Sequence, residues 1–132
     1  QAVRAGQVYL GPGGRHMTTK KQTDGEVVIQ LADTPPENSC RPSVDVLFRS
    51  VARVYGAASL SMVLTGMGQD GLKGVRDIRA AGGLAYAQDE ESSVVWGMPG
   101  AVVREGLADK VLPLSQMARE IMRHATAVGQ PD

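Results

Sequence analysis

The fold is decided by residues 59–81, which read SLSMVLTGMGQDGLKGVRDIRAA. The stretch opens with an apolar run that predicts a buried strand. It ends with Leu72, Val75 and Ile78, whose spacing is typical of the inward face of a helix. Residues 66–71 lie between them and contain three glycines, which allow a tight turn from strand to helix. This stretch therefore predicts one strand–loop–helix unit of an α/β fold.

The same alternation continues on the C-terminal side of this unit. The predicted elements are strands over 59–65, 84–88 and 111–112, and helices over 72–81, 99–105 and 114–127. Strands that alternate with helices across short turns favour a parallel sheet covered by helices. We therefore expect an α/β fold with a parallel sheet covered by helices.

Three further elements are predicted on the N-terminal side. Residues 43–55 have helical periodicity and follow Ser43, a good N-cap residue, and Asp45 and Arg49 are expected to pair on the surface of that helix. The Asp24-Gly25 pair predicts a small antiparallel hairpin between arms at 16–21 and 26–32. A short strand is predicted over residues 7–12, before a turn that is rich in glycine.

Composition excludes several classes of function. The 132 residues carry 14 basic and 14 acidic side chains, so the chain has no basic excess for binding nucleic acid. One cysteine, Cys40, cannot form an internal disulfide framework, and two distant histidines do not form a metal site without carboxylates. The longest uncharged stretch is interrupted by glycines and is too short to insert into a membrane. We expect no nucleic acid, no metal and no membrane insertion.

Asp70, in the loop before the second predicted helix, has three interpretations from sequence. It could cap the helix that follows it, because aspartate is a favoured N-cap residue. Alternatively, Gly66, Gly68 and Gly71 match the G-x-G-x-x-G pattern of a dinucleotide-binding turn, although the Asp70 carboxylate would repel a pyrophosphate. As a third possibility, Asp70 could orient the histidine of a Ser-His-Asp triad. Spacing alone leaves all three open.

Six short segments, taken together and in order, carry a resemblance to a known family. They are residues 8–17 (VYLGPGGRHM), 41–50 (RPSVDVLFRS), 63–71 (VLTGMGQDG), 81–83 (AGG), 87–93 (AQDEESS) and 97–99 (GMP). The chain resembles the catalytic domain of the bacterial chemotaxis protein-glutamate methylesterase, the CheB type.

This resemblance implies an α/β fold with three α/β/α layers and a mainly parallel, doubly wound sheet. It also implies a hydrolase with no cofactor and assigns roles to particular residues. Asp70 matches the position of the family's triad acid, and Met67, with Gly66 and Gly68, matches the loop that lends a backbone N–H to the oxyanion. Arg15 and His16 are candidate residues of the cleft. The implied activity is hydrolysis of glutamate methyl esters, and deamidation of glutamines, on cytoplasmic helices of methyl-accepting chemotaxis receptors. The implied location is the bacterial cytoplasm.

The resemblance also implies that residues 1–132 are the C-terminal part of one catalytic domain. The family's serine and histidine, and a phosphorylatable receiver domain where there is one, precede the matched segments. We therefore expect a sheet that is incomplete on its N-terminal side and a chain that is inactive alone. Exposed strand edges and apolar surface would also favour self-association. A non-catalytic fragment that only binds receptors is the remaining alternative.

Overall fold

The computed structural model describes residues 1–129. In chain order, the elements are β1 (His16–Lys21), β2 (Val27–Ala32), α1 (Val44–Tyr55), a single 3₁₀ turn (Gly56–Ala58), β3 (Leu60–Val63), α2 (Leu72–Ala80), β4 (Leu84–Gln88), α3 (Met98–Arg104), β5 (Lys110–Leu112) and α4 (Leu114–Gly129). Residues 130–132, which the sequence assigned to the same domain, lie outside the described residues. The elements predicted after residue 42 are all present, with ends that differ by a few residues.

The central sheet is parallel and has the strand order β3-β4-β5. Its middle strand carries Ala85 and Ala87, which are fully buried beneath Val75 of α2 and Val102 of α3. Neighbouring residues of a strand point to opposite faces, so Tyr86 lies on the other side. There its hydroxyl contacts His124 of α4 at 2.8 Å. The predicted α/β/α arrangement is confirmed.

The predicted hairpin is also present. Strands β1 and β2 pair antiparallel from His16 opposite Ala32 to Lys21 opposite Val27. The hairpin is joined to α1 through Ser50, whose buried hydroxyl accepts a hydrogen bond from the Thr19 N–H at 2.9 Å. The hairpin therefore packs on α1 rather than on the parallel sheet.

The prediction of a strand over residues 7–12 is wrong. This segment pairs with no strand in the part of the chain that the structure describes. Val8 and Leu10 are 97% and 94% exposed. A strand exists through hydrogen bonds to a neighbour, and a local apolar pattern does not supply that neighbour.

Helices α1 and α2 pack closely because α2 carries a glycine at their contact. A Cβ atom added at Gly74 would lie 2.6 Å from Cβ of Phe48 and 3.2 Å from Cα of Asp45. The missing side chain thus lets the two helix backbones approach. No helix among residues 1–129 is long and apolar enough to cross a membrane.

Substitution Gly74→Ala is expected to destabilise the protein, although alanine is the better helix former. Overpacking of a tight contact costs about 1–3 kcal/mol, which exceeds the roughly 1 kcal/mol of helix propensity gained. Urea denaturation measures the change in the free energy of unfolding. Gly13→Ala is the matched control, since its added Cβ would have no neighbour within 4 Å. Equal stability of the two variants would contradict the packing argument.

Candidate active site

The loop at residues 66–71 leaves the carboxyl end of β3, where parallel sheets commonly bind ligands. Gly68 and Gly71 have φ angles of 89° and 101°, which favour glycine. The start of the loop is held by its neighbour strand, because the Thr65 N–H donates to Oε1 of Gln88 at 2.8 Å. Gln88 is fully buried at the end of β4. The chain is therefore fixed to the sheet at Thr65, the residue before the loop.

A second segment supports the same loop from the side. The Gly66 N–H donates to the Val95 carbonyl at 2.9 Å, and the Gly66 carbonyl accepts from the Met98 N–H at 2.8 Å. Met67, the next residue of the loop after Gly66, is 81% exposed. Within residues 1–129, the N–H groups of Met67 and Gly68 donate no hydrogen bond. Two backbone donors are thus held at the surface of a braced loop.

Asp70 caps a helix, but not the helix that follows it. Gly71 occupies the N-cap position of α2, and no side chain at that position caps the helix. Instead, Asp70 accepts hydrogen bonds at the N-terminus of α1, from the N–H of Val44 at 2.7 Å and of Asp45 at 3.2 Å. The N-cap interpretation was therefore correct that the Asp70 carboxylate caps a helix, but wrong about which helix it caps.

The predicted surface pair of Asp45 and Arg49 is also wrong. Asp45 is fully buried, and its Oδ1 accepts hydrogen bonds from the N–H groups of Gly71 at 3.0 Å and Gly74 at 2.7 Å. The close approach of α1 and α2 turns this side chain towards the start of α2. Arg49 pairs instead with Glu37, at 2.6 Å, and lies 3.8 Å from Asp77.

The two carboxylates therefore cap each other's helices. Asp70 precedes α2 and caps α1, whereas Asp45 lies in α1 and caps α2. Each carboxylate lies at the positive end of a helix dipole, which stabilises its negative charge. Nδ2 of Asn38 donates to both, to Oδ2 of Asp45 at 2.6 Å and to Oδ1 of Asp70 at 3.0 Å. This bridge offsets the repulsion between two nearby charges.

Burial and hydrogen bonding act in opposite directions on the pKa of Asp70. Burial raises this pKa, because the carboxylate loses hydration. Hydrogen bonds from the Val44 N–H, the Ser43 hydroxyl, the Asp45 N–H and the Asn38 amide lower it, and they prevail, so the pKa lies below its ordinary value. Asp70 is therefore a buried carboxylate that stays ionised at neutral pH.

The lowered pKa of Asp70 predicts a dependence of stability on pH. The ionised carboxylate stabilises the fold above its unfolded-state pKa, near 3.9, and this contribution is lost as the pH falls through the lower folded-state pKa. The free energy of unfolding of Asp70→Asn should thus differ most from the parent at pH 7 and converge with it as the pH falls below about 4. Urea denaturation across this range measures it. A difference that stays constant with pH would contradict the assignment.

Asn38 is a site residue that the sequence did not single out. It lies in a two-residue turn in which Glu37 and Cys40 exchange backbone hydrogen bonds of 3.0 and 2.9 Å. Both central residues, Asn38 and Ser39, have positive φ angles of 56° and 61°. Asparagine is favoured at such a position, and this was the available signal. The surrounding prolines obscured it by suggesting an irregular loop.

The candidate cleft residues Arg15 and His16 have different surroundings. The side chain of His16 is fully buried. Its Nδ1 accepts from the Ser43 N–H at 3.1 Å, so Nε2 carries the proton and donates to the Pro35 carbonyl at 3.0 Å. Arg15 is exposed and pairs with Asp33 at 2.9 Å. His16 thus joins the hairpin to the start of α1.

The site is unsuited to the alternative ligands. A pyrophosphate in a dinucleotide-binding turn needs free N–H groups at the helix start, but those of Gly71 and Gly74 are taken by Asp45. Among residues 1–129, no cluster of three or more His, Cys, Asp or Glu side chains could hold a metal ion. The loop carries an ionised carboxylate and two backbone N–H groups that donate no hydrogen bond in the described part of the chain. This combination suits orientation of an imidazole and stabilisation of an oxyanion.

Comparison with known proteins places this chain in a family. Residues 1–121 match the family described as CheB methylesterase, and the chain belongs to that family. A Trichodesmium erythraeum protein named protein-glutamate methylesterase/protein-glutamine glutaminase is 54% identical over 121 residues, which are 92% of this chain and 34% of the relative. A relative of the same name from Rhodopseudomonas palustris is 53% identical over 123 residues, which are 93% of this chain and 32% of that relative.

The fold has a counterpart of known structure. The crystal structure of the Thermotoga maritima CheB methylesterase catalytic domain matches with a TM-score of 0.89 and 37% identity, over 93% of this chain and 65% of that chain. The chain therefore spans about a third of the length of the curated relatives and about two thirds of this domain.

Proposed function

We propose that this chain is the acid-bearing part of a hydrolase that removes methyl groups from glutamate methyl esters and deamidates glutamines. The names of the relatives support this activity. The structural observation that supports it most is that the ionised Asp70 carboxylate, 6% exposed, lies in the same loop as the N–H groups of Met67 and Gly68, which donate no hydrogen bond among residues 1–129. These are two of the parts that acyl transfer by a Ser-His-Asp triad requires.

The mechanism assigns a separate task to each part. A serine and a histidine, supplied by residues outside 1–132, complete the triad. The histidine takes the proton of the serine hydroxyl as its oxygen attacks the ester carbonyl, and Asp70 orients and stabilises the resulting imidazolium. The N–H groups near Met67 stabilise the tetrahedral oxyanion, a contribution of about 3–4 kcal/mol per donor.

Collapse of the tetrahedral intermediate then releases the leaving group. The histidine returns its proton, methanol leaves from an ester or ammonia leaves from a glutamine amide, and an acyl-enzyme remains. Water attacks this acyl-enzyme by the same sequence of proton transfers and releases glutamate and the free serine. The cycle consumes one water and needs no cofactor or metal.

The partners follow from the same proposal. The substrates are side chains on the cytoplasmic helices of methyl-accepting chemotaxis receptors, which would place the enzyme in the bacterial cytoplasm. A phosphorylatable receiver domain in the complete polypeptide would regulate access to the site. Arg15, which is exposed, remains a candidate for contact with substrate. The chain's net charge of zero gives no basic excess for binding nucleic acid.

The proposal is tested by comparing the complete polypeptide with residues 1–132 alone. Methanol release from a methylated receptor peptide should be catalysed by the complete polypeptide and not by residues 1–132. Calorimetry with NAD and FAD should show no binding to the complete polypeptide. A complete polypeptide that binds the receptor but releases no methanol would favour the non-catalytic alternative. Tight NAD or FAD binding would favour the dinucleotide alternative.

Residues 1–132 alone are expected to self-associate. Among the described residues, the outer edge of β3 has no partner strand. Beside this edge lies an apolar groove of about 290 Å³, lined in part by Leu47, Phe48 and Met62. Unpaired strand edges and exposed apolar surface favour association between chains. Light scattering across a concentration series measures this, and a monomer at the highest concentration would contradict the expectation.

A further inference from the structure

The two carboxylate oxygens of Asp70 accept different numbers of hydrogen bonds. Oδ1 accepts three hydrogen bonds, from the Ser43 hydroxyl at 2.8 Å, the Asn38 amide at 3.0 Å and the Asp45 N–H at 3.2 Å. Oδ2 accepts one among the described residues, from the Val44 N–H at 2.7 Å. A carboxylate oxygen has two lone-pair sites, so Oδ1 is saturated and Oδ2 has one free. An incoming N–H donor would therefore bind at Oδ2.

The Ser43 hydroxyl donates to Oδ1 of Asp70 and makes no capping hydrogen bond to α1. Ser43 occupies the N-cap position of α1, where a serine hydroxyl would ordinarily accept from the helix N–H groups. Here Asp70 takes those N–H groups, so the hydroxyl is free to donate to the carboxylate. The residue is 2% exposed, and its own N–H is fixed to Nδ1 of His16. Ser43 thus directs one buried hydrogen bond at Asp70.

Asn38 reaches the same oxygen from the opposite loop. Its side chain is held by the turn at residues 37–40, and this turn is tied to α1 by the ion pair between Glu37 and Arg49. The Asn38 amide is therefore held in place by the backbone of the turn and by the contact of this turn with α1.

We propose that Ser43 and Asn38 are positioning residues that fix Oδ1 of Asp70 and so present Oδ2 to the imidazole N–H of the catalytic histidine. This inference rests on the proposed function, in which Asp70 acts as the triad acid. Neither residue touches the reacting atoms. Both act through the direction in which the second oxygen points, and a misdirected carboxylate would leave the imidazole poorly oriented for each proton transfer.

The test uses the complete polypeptide and a matched set of serine variants. Ser43→Ala should lower kcat for methyl ester hydrolysis by about 10- to 100-fold, with KM within about twofold of the parent. Ser43→Thr, which keeps the hydroxyl, should restore most of this loss, and Asn38→Ala should lower kcat in the same way as Ser43→Ala. Ser50→Ala is the control, since Ser50 is also a buried hydroxyl of α1 but bonds to Thr19 and Leu47. It should lower stability and leave kcat unchanged.

A double variant separates positioning from general support of the fold. In an Asp70→Asn background, Ser43→Ala should cause no further loss of kcat, because the group through which it acts is already gone. A further loss of the same size would overturn the proposal, as would a parental kcat in Ser43→Ala. Parental kcat in Asp70→Asn itself would instead overturn the proposed function, so the two failures are distinguishable.

Discussion

Replacement of Asp70 by asparagine in the complete polypeptide is expected to lower kcat for methyl ester hydrolysis by about 10⁴-fold. The amide has nearly the same shape, but it has no negative charge to stabilise the imidazolium. Its NH₂ group would also face N–H and O–H donors that now bind the carboxylate. KM should change little, because substrate does not contact Asp70 in this mechanism.

The control for this variant is Asp24→Asn. Asp24 is an exposed carboxylate at the turn of the hairpin, where its Oδ1 accepts from the Glu26 N–H at 2.9 Å, so its loss should not change kcat. Because Asp70→Asn also loses caps of α1, unfolding of both variants should be followed, and kcat compared at a temperature where both are folded. A folded Asp70→Asn protein with kcat near the parent value would contradict the triad assignment.

Substitution Gly97→Ala is expected to produce the second largest loss, about 10²- to 10³-fold in kcat. An added Cβ would lie 2.8 Å from the Gly66 carbonyl oxygen, 3.0 Å from the Gly68 nitrogen and 3.2 Å from Cα of Met67. All three contacts are with backbone, which cannot rotate away as a side chain could. The loop would therefore move, and the N–H groups that stabilise the oxyanion would move with it.

Gly83→Ala is the matched control for this substitution. Its added Cβ would be equally crowded, at 2.9 Å from the Ser59 carbonyl oxygen, but at the opposite end of β3 and β4. It should lower the free energy of unfolding without a specific effect on kcat. If the two variants lose stability and activity in the same proportion, the effect of Gly97→Ala reflects folding alone and the oxyanion assignment fails.

Local periodicity was sufficient to predict much of the fold. The apolar run before Gly66 and the spacing of Leu72, Val75 and Ile78 predicted β3, α2 and the loop between them, and the structure confirms all three. These features are properties of neighbouring residues, which a sequence pattern reports directly. The segment at residues 7–12 failed because pairing of a strand depends on a partner that lies elsewhere.

The candidate site was predicted less completely because its hydrogen bonds cross between helices. Asp70 was correctly placed in a loop before a helix, but sequence could not indicate that its carboxylate reaches the start of α1, 26 residues away. The same holds for Asp45, whose spacing to Arg49 suggested a surface pair. Close packing of α1 and α2 at Gly74 decides both cases, and no local pattern contains that contact.

The central claim is that Asp70 receives the imidazole N–H of the catalytic histidine, and proton NMR of the complete polypeptide tests it most directly. An imidazole N–H bonded to a buried carboxylate gives a far-downfield resonance that is resolved from the amide protons of the backbone and side chains. We expect this resonance in the parent and in Asp24→Asn, and its loss in Asp70→Asn. Persistence of the resonance in a folded Asp70→Asn protein would contradict the claim.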